Sequence, residues 1–187
     1  MPSQTPEQTV REAKRLVESD KRSEIRLNAN GGNSIIIPCP PLSELAYIKA
    51  IKDLMPSDNY NIIDLNELLN EFVATNRTDM TDSFDLLRGS IHQIFKTPDG
   101  EDNPDFFGLI LNAIAHSLKA QKIPVLVRTG ALYGSGIDNI HIMENEMIMK
   151  APLPLIILYP ATKEGETLLF LGKRPASRYR CMIVDFK

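Results

Sequence analysis

The fold can be read outward from two short apolar runs, Ile123-Pro-Val-Leu-Val127 and Leu153-Pro-Leu-Ile-Ile-Leu-Tyr159. Two further runs, Ser34–Ile37 and Tyr60–Asp64, are also short and contain consecutive isoleucines. Each run is bounded by turn formers or by a helical pattern, which predicts a short buried strand. Short apolar strands that alternate with helices indicate an α/β fold: a Rossmann-like, mostly parallel sheet covered by helices on both faces.

The segments between these strands have the apolar spacing of helices. The predicted helices are Leu42–Leu54, Leu65–Ala74, Asp82–Phe95, Pro104–Gln121 and Ile137–Met147. In the first of them, Leu45 and Ile48 are expected to face the core. Residues 1–28 are highly charged with a sparse apolar stripe, which predicts a peripheral N-terminal helix with Thr5 as its N-cap and Pro6 in its first position.

The end of the chain has a different pattern. Two strands are predicted, Thr167–Gly172 and Arg178–Val184, and the link between them, Lys173–Ser177, is too short for a crossover helix. The sequence therefore predicts a C-terminal antiparallel β-hairpin over 166–185 at the edge of the sheet. With no interdomain linker in the pattern, 1–187 is expected to form a single α/β domain.

The overall composition is that of an ordinary globular protein. The 187 residues include 21 lysines and arginines against 24 aspartates and glutamates, a formal net charge of −3. This balance excludes the global cationic field of non-specific DNA-binding proteins, so direct nucleic-acid binding is expected to be weak or local. The 43% of apolar residues are enough to build a core without metal ions or disulfides.

Charge is unevenly distributed along the chain. Residues 53–105 contain twelve acidic and three basic residues, a net charge of −9, whereas residues 172–187 have a net charge of +4. Such an asymmetry can steer a partner or bring two faces of one fold together. The alternative is that these charges only keep the surface hydrated.

Cys39 and Cys181 are interpreted as small core residues, because neither belongs to a pair with metal-ligand spacing. Met1–Thr9 does not have the pattern of a signal peptide, so the expected location is a reducing cytoplasm. The longest apolar stretch, Leu153–Tyr159, is far shorter than the ~20 residues of a membrane helix. We expect no metal site, no cofactor and no contact with a membrane.

Groups for catalysis are not brought together by any motif. His92, His116 and His141 lie in different predicted helices, and no nucleophile or carboxylate is spaced to work with them. The expectation is that the chain is not an enzyme and has no catalytic residues. A hydrolase with an unfamiliar site is a remaining alternative, which a perturbed pair of carboxylates would favour.

Ligands of a doubly wound sheet bind at loops that follow the carboxyl ends of strands. After the first strand, Pro38-Cys-Pro-Pro41 removes three of the backbone donors that a phosphate cradle would use. The loop after the third strand, Thr129–Gly136, is the better candidate for a nucleotide or small anion. Its candidate ligand residues are Thr129, Gly130, Tyr133, Gly134 and Ser135. The alternative is that its glycines only allow a tight turn.

The predicted hairpin is the candidate surface for a protein partner. An edge hairpin with arginines and an aromatic residue suits an acidic protein surface, although charge at a sheet edge also protects against aggregation. The candidate partner-binding residues are Lys173, Arg174, Arg178, Tyr179 and Arg180. A methionine-rich patch around a short helix is a second candidate surface, with core filling as its alternative. Its residues are Ile140, Met143, Met147, Ile148 and Met149.

The order of motifs along the chain resembles BrxB, a small component of the bacteriophage exclusion (BREX) defence systems. The matching residues of the second half are Val125–Tyr133, Ile140-His-Ile142, Pro154–Pro160, Gly165, Leu168–Gly172 and Tyr179-Arg180. The first half matches more loosely, through Ile35–Pro38, Glu44-Leu45 and Ile63–Leu69.

The resemblance implies a non-enzymatic accessory subunit in antiviral defence. Such a subunit would work with other BREX proteins, including the phosphatase-like PglZ and a DNA methyltransferase, in host DNA methylation and phage restriction. The expected function is therefore an adaptor that binds a PglZ-like protein and supports phage resistance. The alternative is a Rossmann-like sensor that binds a nucleotide or small anion at Thr129–Gly136.

Overall fold

The central feature of the structure, a computed structural model, is a sheet to which the described residues contribute seven strands. The structure describes residues 5–19, 22–98, 105–165, 167–176 and 180–184. The strands are β1 Ser34–Cys39, β2 Tyr60–Asp64, β3 Ile123–Val127, β4 Leu155–Glu164, β5 Thr167–Phe170, β6 Arg174–Pro175 and β7 Met182–Ile183. Five of them are parallel in the order β2-β3-β4-β1-β7, which confirms the predicted Rossmann-like α/β fold.

Helices cover both faces of this sheet, as predicted. They are α1 Pro6–Glu18, α2 Arg22–Asn28, α3 Glu44–Leu54, α4 Leu65–Thr75, α5 Arg77–Leu86, α6 Phe106–Lys119, α7 Asn139–Met143 and α8 Glu146–Lys150. Short 3₁₀ helices occupy Pro41–Ser43, Ile91–Ile94 and Thr129–Leu132. In the described part of the chain, every helix is too short or too polar to cross a membrane.

The strands supply two hydrophobic cores, one on each face. Successive side chains of a strand point to opposite faces, so Ile35 and Ile37 of β1 join one core and Ile36 joins the other. The first core is covered by α1 and α3, and the second by α4 and α6 with the segments that follow β3. Because both faces are covered, the central strands are apolar throughout. These apolar runs are the pattern from which the sequence predicted buried strands.

The N-terminal segment is more deeply packed than predicted. In place of one peripheral helix there are α1 and α2, and α1 contacts α3 and β1. Val10, Ala13 and Val17 of α1 are completely buried. Their spacing of three and four residues gives a narrow apolar stripe, and this stripe is enough to cover the sheet because the residues are small.

The predicted helix Asp82–Phe95 is wrong in its extent. In the structure α5 ends at Leu86 and only a 3₁₀ helix forms at Ile91–Ile94. Gly89, a weak helix former, lies in the interruption. Phe84, near the end of α5, is 44% exposed.

The expectation that Leu45 faces the core is also wrong, because this side chain is 69% exposed. The helix begins at Glu44, after the 3₁₀ turn at Pro41–Ser43, so Leu45 lies in its first turn. The buried face of α3 starts at Tyr47 and continues with Ile48, as predicted for the latter.

The predicted antiparallel strands near the C-terminus are confirmed, since β5 and β6 form an antiparallel pair. The predicted second strand, Arg178–Val184, is wrong as a partner of Thr167–Gly172. β5 pairs with β4, from Ala161 opposite Phe170 to Glu164 opposite Thr167, and then with the short β6. The last strand, β7, pairs in parallel with β1 at the edge of the main sheet. β4 continues as a strand to Glu164, beyond the predicted end at Tyr159, and so provides the antiparallel partner of β5.

Candidate functional site

The parallel strands direct their carboxyl ends to one edge of the sheet, which we call the carboxyl edge. At the end of β1 the chain passes through Pro40 into the 3₁₀ turn Pro41–Ser43. The last residue of β1, Cys39, is completely buried. Burial, with a smaller contribution from Glu44, raises the pKa of its thiol far above the ordinary value, so Cys39 stays a neutral thiol.

Cys181 is buried in the same way. Burial raises the pKa of its thiol to about 12. Both cysteines are free of disulfides and contribute to the hydrophobic cores. The interpretation of the two cysteines as small core residues is therefore confirmed.

The loop Thr129–Gly136 lies at the carboxyl edge, as predicted, and its hydroxyl groups are used inside the protein. The Thr129 Oγ1 hydroxyl donates to the Leu158 carbonyl at 3.0 Å and so ties the end of β3 to β4. The Ser135 Oγ hydroxyl donates to the Leu132 carbonyl at 2.8 Å and accepts from the Ile137 N–H. Both side chains are buried, which favours the interpretation of this loop as a tight turn.

Two glycines of this loop, Gly134 and Gly136, have positive φ values of +86° and +78°. A Cβ atom at Gly136 would lie 2.8 Å from His92 Cβ, closer than real contacts allow. At Gly134 nothing lies within 4 Å of such an atom. The two positions therefore need glycine for backbone conformation, and Gly136 needs it for close packing as well.

Tyr133, the aromatic residue of the loop, is exposed and contacts the C-terminal segment. The Arg174 guanidinium lies over its ring, 5.4 Å from the centroid. Arg174 Nη1 also donates to Asp138 Oδ1 at 3.0 Å, with both side chains about half exposed. The structure thus brings one residue of the candidate ligand loop into contact with one residue of the candidate partner surface.

A second arginine of the C-terminal segment lies near the other end of α7. Arg180 Nε is 3.9 Å from Glu144 Oε1. Asp138 is the N-cap of α7 and Glu144 its C-cap, so the two arginines pair with acids at opposite ends of one short helix. We call Tyr133, Asp138, Glu144, Arg174 and Arg180 the arginine patch.

The remaining candidate residues are placed as follows. Lys173 is exposed, beside the arginine patch in sequence, and Gly130 is half-buried against Leu171. Arg178 and Tyr179 lie outside the described residues. Met143 and Ile148 of the methionine-rich patch are buried in the second core, so this part of the patch fills the core.

A charged cluster that sequence reasoning missed also lies at the carboxyl edge. Glu44 begins α3, Asp64 ends β2 and Arg128 follows β3 directly. Arg128 Nε is 2.9 Å from Asp64 Oδ2, although its N–H is not aligned for a hydrogen bond. Asp64 is at the same time the N-cap of α4, where its Oδ1 accepts from the backbone N–H groups of Asn66 and Glu67. We call Glu44, Asp64 and Arg128 the edge cluster.

Arg128 has an unusual backbone conformation, with φ 55° and ψ 40° in the left-handed region. For a residue other than glycine this conformation costs roughly 1–2 kcal/mol. The turn directs the next residue, Thr129, towards β4, while the Arg128 side chain stays 42% exposed over the edge cluster.

Glu44 is the electrostatically perturbed member of the edge cluster. Burial raises the pKa of its carboxyl above the ordinary value of 4.5. The Arg128 guanidinium and the Arg128 backbone N–H lower this pKa, and the nearby Asp64 raises it further. The Oε1 atom of Glu44 is buried and accepts no hydrogen bond in the structure. A buried acceptor without a donor costs about 1–3 kcal/mol of folding free energy.

Both acids of this cluster belong to short motifs of the first half of the chain, Glu44-Leu45 and Ile63–Leu69, and Arg128 lies within Val125–Tyr133. The sequence signal that could have grouped them is their shared position, since each follows the carboxyl end of a different parallel strand. The strand order could not be inferred from the sequence, so their proximity was not predicted.

Apart from the edge cluster, the described part of the chain does not bring histidines or metal-binding side chains together. His92, His116 and His141 are exposed, and His141 Nδ1 accepts from the Asp138 N–H within the start of α7. Among the described residues, no three His, Cys, Asp or Glu side chains are grouped to hold a metal ion.

Comparisons of the chain with family models, with curated proteins and with solved structures find no match.

Proposed function

We propose that this chain is a non-enzymatic adaptor of a BREX-type antiphage defence system, which binds a partner such as a PglZ-like protein and supports host DNA methylation and phage restriction. The observation that carries the proposal is the arginine patch. Arg174 lies over the exposed ring of Tyr133 and pairs with Asp138. The candidate ligand loop and the candidate partner surface therefore meet in one exposed surface.

The composition of this patch supports protein binding. Tyrosine and arginine are enriched at the energetic centres of protein interfaces, because both combine apolar area with directed hydrogen bonds. The Thr129 and Ser135 hydroxyls, which a small ligand would use, are already hydrogen-bonded within the protein. These observations favour an adaptor over a nucleotide sensor at the same loop.

The direct test is binding of the purified chain to the PglZ-like protein of its system, followed by gel filtration and calorimetry. We expect co-elution, and we expect Arg174→Glu and Arg180→Glu each to weaken binding by about tenfold or more, equivalent to about 1.4 kcal/mol. Lys119→Glu is the matched control, because Lys119 ends α6 ahead of β3, at the opposite edge of the sheet.

Two results would contradict the proposal. One is the absence of a complex with the PglZ-like protein together with full phage resistance in cells that carry Arg174→Glu and Arg180→Glu. The other is turnover of a phosphate ester or carboxylic ester by the purified chain alone, lost in Glu44→Gln, since burial raises the pKa of the Glu44 carboxyl at this edge.

A further inference from the structure

A groove lies between α5 and the segment that contains the 3₁₀ helix Ile91–Ile94. Its volume is about 580 Å³, within the range of roughly 300–1,000 Å³ that is common for binding pockets. The buried side chains of Phe72 and Met80 line it, together with the half-buried Leu87 and Ile94. We call this feature the α5 groove.

One face of α5 borders this groove. Asn76, Met80, Ser83 and Leu87 line it at intervals of four, three and four residues, which is the spacing of a single helix face. Within α5 itself, a helix of ten residues, only Met80 is buried. A helix of this length usually buries an apolar stripe against a neighbour, whereas this face of α5 borders open space.

Apolar side chains continue from the α5 groove onto the surface. Leu86, 85% exposed, lies three residues after Ser83 on α5. Ile91 lies three residues before Ile94, and side chains with that spacing are aligned in a 3₁₀ helix. Of the nine large apolar side chains that are exposed in the described part of the chain, four lie within 73–91. A small molecule inside the groove would leave this outer apolar area in water, so a partner protein fits better.

The charge at the α5 groove is negative. Asp79 lines the groove, and Asp82 follows it by three residues on the same helix. Neither carboxylate has an ion-pair partner among the described residues, whereas Asp85 pairs with Arg88. Of the described residues that line the groove, none is basic. A cationic group would therefore be attracted here, and the phosphates of a nucleic acid would be repelled.

We propose that the α5 groove docks an amphipathic segment of a protein partner. The apolar face of that segment covers Met80 and Leu86, and a lysine or arginine beside this face pairs with Asp79. This is the mode in which an amphipathic helix lies in a groove with its apolar side chains as anchors. The inference goes beyond the proposed function, because the arginine patch presents cationic groups and suits an acidic partner instead.

The test is a fluorescence anisotropy titration of the full chain with a labelled synthetic amphipathic peptide of leucines and lysines. The same peptide with glutamate in place of lysine is the second probe, and we expect it to bind at least tenfold more weakly. Asp79→Arg and Leu86→Ser should each weaken binding of the lysine peptide by about tenfold. The matched controls, Asp58→Arg and Leu27→Ser, alter an exposed acid and an exposed leucine on other elements and should not change the affinity.

A second readout locates the peptide on the protein. In NMR spectra of the methionine methyl groups, the lysine peptide should shift the signal of Met80, which lines the α5 groove. The signal of Met55, buried in the core on the other face of the sheet, should not move. Ser83→Trp fills the groove without a change of charge, so it should abolish both the binding and the Met80 shift, while an unchanged Met55 signal shows that the fold is intact.

The outcomes separate this inference from the proposed function. Binding of the lysine peptide that shifts Met80, and that is weakened in Asp79→Arg and Leu86→Ser but not in their controls, supports the inference. Absence of binding, equal affinity for the two peptides, or an affinity that Ser83→Trp leaves unchanged contradicts it. None of these results depends on a complex with the PglZ-like protein, so the proposed function is decided by its own experiment.

Discussion

The loop Thr129–Gly136 and the edge cluster lie at the same edge of the sheet, but they differ in how their polar groups are satisfied. In the loop, the buried hydroxyls of Thr129 and Ser135 are both hydrogen-bonded to backbone groups. In the edge cluster, Glu44 Oε1 is buried without a donor. The difference teaches that polar residues in a glycine-rich loop can be structural, with their hydrogen bonds made inside the protein, whereas the buried acceptor at the same edge lacks a donor within the chain.

The largest expected effect tests the structural interpretation of the loop. Gly136→Ala should lower the free energy of unfolding by about 3 kcal/mol, because it combines a positive φ with a contact of 2.8 Å to His92 Cβ. Gly134→Ala should cost about 1 kcal/mol, since only the positive φ is affected there. Urea unfolding of both variants measures the difference.

Gly130→Ala is the matched control for this series. A Cβ atom at Gly130 would make an ordinary contact of 3.6 Å with Leu171, so the free energy of unfolding should stay within about 0.5 kcal/mol of the unaltered chain. Equal costs at the three positions would contradict the structural interpretation of these glycines.

The next effect concerns the hydroxyl of Thr129. Thr129→Val should lower the free energy of unfolding by about 2 kcal/mol, because the buried Leu158 carbonyl loses its donor at the junction of β3 and β4. The control is Thr167→Val, an exposed position in β5. If Thr129→Val were as stable as the unaltered chain and had lost affinity for a nucleotide, the loop would be a ligand site.

The smallest expected effect has the opposite sign. Glu44→Gln should leave the free energy of unfolding of the free chain unchanged or raise it by up to about 1 kcal/mol, because it removes a partly buried charge and keeps an acceptor for the Arg128 N–H. A loss of stability in this variant would show that Glu44 is a structural residue.

The pH dependence of this variant follows from linkage. The folded-state pKa of Glu44 lies above its ordinary value of 4.5, so the folded state holds the proton more tightly than the unfolded state. The contribution of Glu44 to stability is therefore fully present below pH 4.5 and declines as the pH rises through the raised pKa. We expect the advantage of Glu44→Gln over the unaltered chain to grow across that interval in urea unfolding. An advantage that shrinks with rising pH would contradict the assignment.

The sequence predicted most of the sheet and less of its edges. Strands such as Ile123–Val127 were predicted to the residue, because a short, fully apolar run between two helices fits a buried parallel strand and little else. The partner of Thr167–Phe170 could not be predicted, since local patterns do not reveal that β4 continues past Tyr159 or that β7 returns to β1. Leu45 was misplaced because the phase of α3 depends on the preceding 3₁₀ turn.

The candidate site was predicted in part, for a related reason. The carboxyl edge and the loop after β3 followed from the position of the strands. The edge cluster did not, because Glu44, Asp64 and Arg128 come together only through the order of strands in space. The pairing of Arg174 with Asp138 depends in the same way on tertiary contacts between distant segments.

Hydrogen–deuterium exchange of the chain, alone and bound to the PglZ-like protein or to the DNA methyltransferase, tests the central claim most directly. The account predicts slower exchange in the segment 129–144 when a partner is bound, with the end of α6 at Lys119 unchanged. Complexes that form with no change in this segment would contradict the assignment of the arginine patch as the adaptor surface.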